Sequence, residues 1–382
     1  MRPARAATVA EVVALGRRRL PRPIAGIVDS GADGEVTLRA NVAAFERLRL
    51  RPRALVDVSE RDLSTTVAGT RVALPVLLAP TGAPALVHRG AEPAVARAAA
   101  RAGTIYVQAT TSSRPLVEVA RAAAGPLWFQ LYLARDRALT EALVDRAAAA
   151  GVRALCVTVD SAVAGARTRD PRTRLSARRW EARLAAGSLR HPRWAARVLP
   201  ANLRGAVPLL HPARTRVPPR PVTAGEIAWL RARWAGPLLV KGVVAAEPCP
   251  RLIDLGVDGI VVSNHGGRQL DGLPASIEVL PEVVAAVAGR AEVLMDGGVR
   301  RGTDVLAALA FGARAVLVGR PYLYGLAAGG EDGVVRVLDI LRDELDRALA
   351  LVGCRSVAEV GPDLLRTAGP GQSARPPSTV MT

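Results

Sequence analysis

Eight short apolar segments are spaced along the chain, and most of them are followed by an alanine-rich stretch with helical spacing. They span residues 74–79, 103–108, 126–132, 154–160, 237–241, 259–263, 293–296 and 315–319. Short apolar runs bounded by turn residues are typical of buried strands, and intervening helices favour parallel pairing. Eight such units predict an α/β chain that folds as a closed (β/α)8 barrel, the TIM barrel.

The rest of the chain is divided around this barrel. Residues 1–70 have helical stretches near 8–18 and 38–47 and are interpreted as a helical cap segment, and residues 71–368 are assigned to the barrel. One irregular interval follows the fourth strand and contains an arginine-rich insertion, 167–220. The Pro-, Gly- and Ser-rich end, 369–382, is predicted to be a disordered tail. The predicted helices of the barrel lie near 92–101, 115–124, 138–150, 246–255, 277–289, 303–311 and 333–351.

Positive charge is concentrated in the insertion. The chain has 52 basic and 34 acidic residues, a net charge of +18, and residues 167–220 account for +12 of it. Such a patch is compatible with a catalytically inactive barrel that binds nucleic acid or a membrane. However, the insertion has only two aromatic residues, Trp180 and Trp194, and is interrupted by prolines. We therefore expect no nucleic acid as partner, and a solvated insertion that forms either a lid or a surface in contact with anionic partners.

No apolar run approaches the ~20 residues that a membrane-spanning helix needs, and Glu11 interrupts the one N-terminal candidate for a secretory segment. The cysteines, Cys156, Cys249 and Cys354, have no CxxC spacing, which favours reduced thiols. These features predict a cytoplasmic protein.

Polar side chains collect where the predicted strands end. Catalytic groups of such barrels come from the carboxyl ends of the strands. Alternation along the fourth strand directs Thr158 and Asp160 to one side, and Gln130 and Tyr132 repeat the pattern on the third. A single residue such as Asp160 could instead cap a helix, but helix capping does not account for the whole set.

Glycine- and arginine-rich turns follow the last two predicted strands. One reads Asp296-Gly297-Gly298-Val299-Arg300 and the other begins with Gly319-Arg320. Loops in these positions commonly bind phosphate through backbone N–H groups, a helix N-terminus and an arginine. The turns therefore predict a phosphorylated cofactor.

Lys241 is the one lysine among 52 basic residues, and it ends the fifth predicted strand. It could be a structural residue that extends from the strand end towards solvent. Alternatively, it places a fixed positive charge beside a flavin ring, because a nearby cation stabilises the negative charge of reduced flavin. Gln130, Thr158 and Ser263 could then bond the polar edge of that ring.

His265 differs from the other histidines because it directly follows a buried strand and precedes Arg268 by three residues. This arrangement suits a general base that removes a proton while an arginine holds an anionic substrate. Asp160 is the best-placed carboxylate to stabilise the imidazolium, although sequence alone does not place it near His265.

Together, residues 263–271 (SNHGGRQLD), 296–304 (DGGVRRGTD) and 318–321 (VGRP) resemble the FMN-dependent α-hydroxy acid oxidase and dehydrogenase family. That family includes enzymes that oxidise glycolate, lactate and mandelate. The resemblance runs from about residue 20 to residue 356. It implies a barrel that binds FMN, oxidation at the carbon that carries the hydroxyl, and reoxidation by oxygen or another acceptor. We also expect a homo-oligomer, a tetramer.

The resemblance also implies roles for individual residues. His265 corresponds to the base, Arg268 to the carboxylate-binding arginine and Asp160 to the carboxylate behind the base. Tyr132 corresponds to a tyrosine near the substrate hydroxyl, and Arg167 to a second arginine over the site. The implied flavin contacts are Gln130, Thr158, Lys241 and Ser263 at the ring, Pro80, Thr81 and Gly82 along it, and Asp296, Gly297, Gly298, Arg300, Gly319 and Arg320 at the phosphate.

Two positions depart from the family pattern. Ile27 stands where the family usually has a substrate-binding tyrosine, and Thr111 stands in a loop where members often have Ser-Ser-Trp. The loss of a carboxylate contact and of an aromatic wall favours a bulkier α-hydroxy or α-amino carbonyl substrate over glycolate or lactate. A subgroup that oxidises a peptide-derived heterocycle in mycofactocin maturation is also similar, at residues 227–231 and 322–328, which leaves such a biosynthetic substrate as an alternative.

Overall fold

The computed structural model describes residues 3–82, 84–170, 177–201 and 220–366. Before the barrel, three helices and an antiparallel hairpin are formed. Val67 and Val72 of the hairpin are buried among the side chains that fill the barrel, so the hairpin closes one of its ends. These elements are α1 (Val9–Arg19), α2 (Arg22–Asp29), α3 (Val36–Arg47), β1 (Thr65–Val67) and β2 (Thr70–Val72).

Eight parallel strands follow and close into a barrel in which each strand pairs with the next and the last pairs with the first. Almost every strand residue is buried, because one side of each strand faces the barrel interior and the other faces the helices. The predicted (β/α)8 barrel is confirmed. Its strands are β3 (Val76–Leu78), β4 (Tyr106–Ala109), β5 (Leu127–Leu131), β6 (Ala154–Thr158), β7 (Leu238–Val243), β8 (Gly259–Val262), β9 (Glu292–Asp296) and β10 (Ala315–Val318).

Helices cover the outside of the barrel, and each helix predicted between strands is present within about three residues of its expected ends. The described helices from the first barrel strand onward, including four that were not predicted (α7, α8, α9 and α13), are α4 (Ala91–Arg101), α5 (Leu116–Ala122), α6 (Arg137–Ala149), α7 (Ala177–Arg190), α8 (Pro192–Ala201), α9 (Ala224–Arg233), α10 (Cys249–Asp254), α11 (Ser276–Val287), α12 (Gly302–Ala310), α13 (Arg320–Gly329) and α14 (Glu331–Val352). Short 3₁₀ turns lie at Pro3–Arg5, Pro84–Leu86, Val357–Glu359 and Pro362–Leu364.

The arginine-rich insertion contributes to the hydrophobic core, which differs from the solvated segment expected from its composition. In α7 and α8, Trp180 and Trp194 are 1% and 7% exposed and belong to the main apolar cluster. Trp194 also donates its indole N–H to the carbonyl of Leu86 at 2.9 Å. Residues 171–176 and 202–219 of the insertion, and the predicted tail at 369–382, lie outside the described residues.

None of the described helices is both long enough and apolar enough to span a bilayer.

Helices α13 and α14 pack so closely that a methyl group at Gly333 would lie 1.9 Å from the carbonyl oxygen of Gly325. We predict that Gly333→Ala lowers the free energy of unfolding by about 1–3 kcal/mol, because overpacking forces the helices apart. Gly225→Ala is the control, since its nearest neighbour would be 3.8 Å away. It should be neutral or stabilising by up to ~1 kcal/mol from helix propensity. Urea unfolding followed by circular dichroism measures both, and equal stability of the two variants would contradict the packing argument.

Candidate active site

A cavity of about 400 Å³ lies at the carboxyl ends of the barrel strands. Almost every residue selected from the sequence lines it, namely Ile27, Pro80, Thr81, Gly82, Thr111, Gln130, Tyr132, Thr158, Arg167, Lys241, His265, Arg268, Asp296, Gly297, Gly298, Arg300, Gly319 and Arg320. The two others lie directly behind the lining: Asp160 bonds to His265, and Ser263 bonds to Lys241. The structure therefore brings all of the predicted site residues to one place.

The imidazole of His265 is oriented by a carboxylate. Its Nδ1 lies 3.0 Å from Asp160 Oδ1 and 3.1 Å from Asp160 Oδ2. Burial raises the pKa of Asp160, but the neighbouring His265 and Lys241 outweigh burial and hold that pKa below its usual value. An ionised carboxylate at Nδ1 favours the proton on that nitrogen, which leaves Nε2 as the acceptor. Nε2 lies 3.4 Å from the hydroxyl of Tyr132, across the cavity.

The backbone at His265 is in the left-handed region, with φ of 58°, and Gly266 and Gly267 follow at 63° and 71°. This conformation is costly for a residue with a side chain. The Ser263 hydroxyl compensates by accepting a hydrogen bond from His265 N at 3.0 Å. Gly267 is required for packing, since a Cβ there would lie 2.6 Å from the backbone nitrogen of Leu38. The turn thus projects the imidazole into the cavity.

Lys241 is buried and pairs with a carboxylate of the neighbouring strand end. Its Nζ lies 2.8 Å from Asp296 Oδ2 and 2.7 Å from Ser263 Oγ, and its side chain is 4% exposed. Burial lowers the pKa of Lys241, but the carboxylates of Asp296 and Asp160 raise it above its ordinary value, so the ammonium is charged at neutral pH. The other oxygen, Asp296 Oδ1, is buried without a hydrogen-bond partner among the described residues.

A second cationic region is formed by Arg300 and Arg320. Arg320 donates to the carbonyls of Gly266 at 2.9 Å and Val28 at 3.0 Å. Burial and the charge of Arg300 lower the pKa of Arg320 to about 10. Within the described ranges, neither guanidinium forms an ion pair. Helix α13 begins at Arg320 without a side-chain cap, so its N-terminus adds to the attraction for an anion.

Two glycines let the backbone of this region approach the cap segment. Gly297 and Gly298 have φ of 98° and 89°, and a Cβ on Gly298 would lie 2.0 Å from the carbonyl oxygen of Asn41. Asn41 exchanges two side-chain hydrogen bonds with Asn264, at 2.8 and 2.9 Å. Sequence reasoning missed Asn41, because no local pattern connects a helix of the cap with the turn that precedes His265.

Two further arginines face the cavity near His265. Arg268 donates to the carbonyls of Ile27 at 3.1 Å and Ser30 at 2.5 Å. Arg167 donates to the carbonyl of Arg268 at 3.2 Å and to Gln269 Oε1 at 3.2 Å. Both guanidiniums line the cavity, so the region suits an anionic group such as a carboxylate.

The remaining polar contacts form the walls between these regions. Gln130 Nε2 donates to Thr158 Oγ1 at 2.9 Å, and the hydroxyls of Thr81 and Tyr322 are 2.5 Å apart. Gly82 faces Thr111, whose hydroxyl would lie 2.9 Å from a Cβ at position 82. Apolar wall residues that sequence reasoning missed are Ile24, Leu86, Val87 and Leu323.

These residues fit the flavin mononucleotide that the sequence resemblance implies. The unsatisfied Asp296 Oδ1 and the fixed charge of Lys241 suit the polar edge of a ring. The arginine pair without carboxylate partners, together with Gly297 and Gly298, suits a phosphate.

Comparison with known proteins identifies the same chemistry. A family model described as FMN-dependent dehydrogenase matches residues 16–367. An L-lactate oxidase from Nostoc is 46% identical over 356 residues, covering 88% of this chain and 91% of the relative. A peroxisomal (S)-2-hydroxy-acid oxidase from Oryza sativa subsp. japonica is 42% identical, covering 94% of this chain and 96% of the relative.

Solved structures are similar over nearly the whole chain. A mandelate oxidase variant with (S)-mandelic acid superposes with a TM-score of 0.82 at 39% identity, covering 95% of this chain and 98% of that one. An (S)-mandelate dehydrogenase, described as a monotopic membrane protein, superposes with a TM-score of 0.85 at 35% identity, covering 95% and 99%.

We predict that Lys241→Met destabilises the cofactor-free protein by about 3–5 kcal/mol at neutral pH, because it leaves a buried carboxylate unpaired. The folded pKa of Lys241 lies above its unfolded value. The stability it contributes is therefore fully present below an unfolded pKa of about 10.4 and is lost as pH rises through the folded pKa. Urea unfolding from pH 7 to 12 should show a constant difference between wild type and variant up to about pH 10, then a decline.

The double variant Lys241→Met/Asp296→Asn is the control, since it removes both charges and should recover part of the stability. A difference between wild type and Lys241→Met that stays constant to pH 12, or that is absent at pH 7, would contradict the role of the ion pair.

Proposed function

The chain belongs to the family of FMN-dependent dehydrogenases and is an FMN-dependent oxidoreductase of 2-hydroxy acids; we propose that its substrate carries an apolar group larger than methyl. The observation that carries this proposal is the position of His265 Nε2. It lies 3.4 Å from the Tyr132 hydroxyl, in a cavity that is also lined by Arg167, Arg268 and several apolar side chains.

Each residue of this region is assigned a task. The guanidiniums of Arg268 and Arg167 hold the substrate carboxylate, and the hydroxyl of Tyr132 holds the substrate hydroxyl. His265 Nε2 accepts a proton that leaves the substrate as its hydroxyl-bearing carbon is oxidised to a carbonyl. The adjacent Asp160 carboxylate stabilises the imidazolium that results.

Bound FMN supplies the two-electron oxidant for this reaction. Lys241, Gln130, Thr158 and Ser263 are proposed to hold the polar edge of its ring, and the backbone of Pro80, Thr81 and Gly82 to run along it. Arg300, Arg320, Gly319 and the turn from Asp296 to Gly298 are proposed to hold its phosphate. The charge of Lys241 is fixed by its ion pair, so it favours negative charge on a ring beside it without rearrangement.

The substrate preference is argued from the apolar wall. The backbone carbonyl of Ile27 accepts from Arg268, the arginine proposed to bind the carboxylate, and Ile27 also lines the cavity. Because Ile27 offers no hydroxyl there, a small acid such as glycolate gains fewer polar contacts. Ile24, Leu86, Val87 and Leu323 provide an apolar surface that a phenyl or branched alkyl group would bury.

The matches do not favour the alternatives weighed from sequence, a peptide-derived substrate or an inactive basic barrel. We propose that oxygen or another oxidant is the electron acceptor. We also propose that the protein forms a homo-oligomer such as a tetramer and that it is located in the cytoplasm. Contact of residues 167–220 with an anionic surface is likewise a proposal, supported by the net positive charge of that segment.

We predict that His265→Gln retains bound FMN but slows anaerobic bleaching of the flavin by substrate by ~10²–10⁴-fold, the contribution of a positioned general base. The control is His191→Gln, which makes the same replacement at a histidine outside the cavity. Stopped-flow absorbance at the flavin band measures the reduction rate. Near-normal bleaching in His265→Gln would move the base to another residue.

We also predict that wild type reduces its flavin faster with mandelate and other bulky 2-hydroxy acids than with glycolate or lactate. Ile27→Tyr should raise kcat/KM for glycolate and lactate about ten- to a hundredfold, the worth of one charge-assisted hydrogen bond to the carboxylate. Ile27→Val, which adds no hydroxyl, should keep the wild-type preference. Efficient turnover of glycolate or lactate by wild type, with bulky acids inert, would overturn the assignment of the apolar wall.

A further inference from the structure

Gln269 connects the two loops that carry the functional groups around His265. It directly follows Arg268, and within the described part of the chain its side-chain amide bonds only to the loop after β6. The amide nitrogen donates to the carbonyls of Asp160 and Val163, each at 3.0 Å, and to Ser161 Oγ at 3.2 Å. The amide oxygen accepts from Gly165 N at 3.2 Å and from Arg167 Nη2 at 3.2 Å.

The orientation of this amide is fixed by its surroundings. On the nitrogen side, two of the partners are carbonyl oxygens, which only accept hydrogen bonds, and on the oxygen side both partners are N–H donors. A rotation that exchanged the two ends would place donors against donors and acceptors against acceptors. Gln269 is therefore held in one arrangement, with both of its polar ends satisfied.

The loop that it holds forms part of the cavity wall. Asp160 stands near the start of the loop, in contact with His265, and Arg167 stands further along it. In between, Ser161, Val163 and Gly165 line the cavity. The two loops are in close contact, because a Cβ on Gly165 would lie 2.4 Å from the carbonyl oxygen of Arg268. We therefore expect a change at position 269 to affect the segment from Asp160 to Arg167.

Two of the acceptors that orient Arg167 are adjacent to each other, the carbonyl of Arg268 and the side chain of Gln269. A guanidinium presents its donors in one plane, so two acceptors fix its direction as well as its position. The neighbouring guanidinium of Arg268 has the same charge, and repulsion between them favours separation unless such acceptors hold them.

We infer that Gln269 is a positioning residue that holds the Arg167 guanidinium beside that of Arg268, so that both engage one carboxylate. This inference rests on the proposed function, in which those two arginines bind the substrate carboxylate. Gln269 also lines the cavity, but both ends of its amide are bonded to the segment from Asp160 to Arg167, so its proposed effect on the substrate passes through Arg167.

The test compares an acid with its neutral amide in the FMN-bound enzyme. Mandelate and mandelamide share a side chain, but only mandelate carries the charge that the arginines bind. Gln269→Met keeps the length of the side chain and removes its hydrogen bonds. We expect kcat/KM for mandelate to fall at least tenfold through a higher KM, with mandelamide affected less than threefold. Leu270→Met is the matched control at a neighbouring exposed residue, and it should leave kcat/KM unchanged for both substrates.

A double-mutant cycle tests whether the effect passes through Arg167. Gln269→Met and Arg167→Met should be strongly non-additive on mandelate, because once the guanidinium is absent there is nothing left for Gln269 to position. Additive effects, equal losses on mandelate and mandelamide, or no loss on mandelate would each overturn the inference. Gln269→Asn keeps the amide on a shorter side chain. We expect it to lower kcat/KM for mandelate more than for mandelamide, so it replaces Gln269→Met if that variant does not fold.

The same comparison separates this inference from the substrate preference. Lactate and lactamide form a second pair with the same difference in charge. If wild type prefers lactate, the proposed bulky substrate is wrong, whereas a selective loss of lactate over lactamide in Gln269→Met still supports the positioning role.

Discussion

The ion pair between Lys241 and Asp296 is the interaction on which the rest of the site depends. It joins the ends of β7 and β9, and the hydroxyl of Ser263 adds the end of β8. The barrel interior beneath the pair is apolar, and burial there raises the pKa of the Cys156 thiol to about 12. A lone ammonium in that environment would carry a large desolvation cost, so the carboxylate is needed to keep it charged. The three strand ends are consequently held in one arrangement.

The same constraint determines where His265 points. Ser263 bonds both to the Lys241 ammonium and to the backbone N–H of His265. The turn that begins there takes three successive residues through positive φ and returns the chain against the cap segment. Local strain at His265 is therefore supported by hydrogen bonds and packing on both sides. A side chain held in this way has little freedom, which suits a group that must meet a substrate in a single geometry.

The strand ends could be predicted from sequence because a barrel has a simple geometry. Alternation along each strand and the shared direction of eight parallel strands were sufficient to predict that Gln130, Thr158 and Lys241 lie around one cavity. The contact between Asp160 and His265 was anticipated as a pairing, but its geometry depends on how two loops fold. Gly242 permits it, since a Cβ there would lie 2.7 Å from the Asp160 carboxyl carbon. Such close approaches leave no periodic signal in the sequence.

Other elements were missed for different physical reasons. In α7 and α8, the buried residues Trp180, Leu184, Trp194 and Val198 are four apart in each helix, but many surrounding arginines and prolines obscure that stripe. Helix α13 is apolar on nearly all sides, because it is covered by α14 and the cap, so it shows no amphipathic pattern. Tertiary packing decided these elements more than local propensity did.

The ionisable and the apolar linings of the cavity come from different parts of the fold. The ionisable groups next to the cavity come from strand ends and the loops that follow them, whereas much of the apolar wall comes from α2, the 3₁₀ turn Pro84–Leu86 and α13. A substitution at Ile27 in α2 would change the wall without removing a hydrogen bond of His265 or Lys241, because the described partners of those two side chains lie outside α2. Relatives of this chain include a lactate oxidase at 46% identity and a mandelate oxidase at 39% identity. Under the proposed function, the barrel therefore holds the reacting groups, and the segments packed over it determine which acid fits beside them.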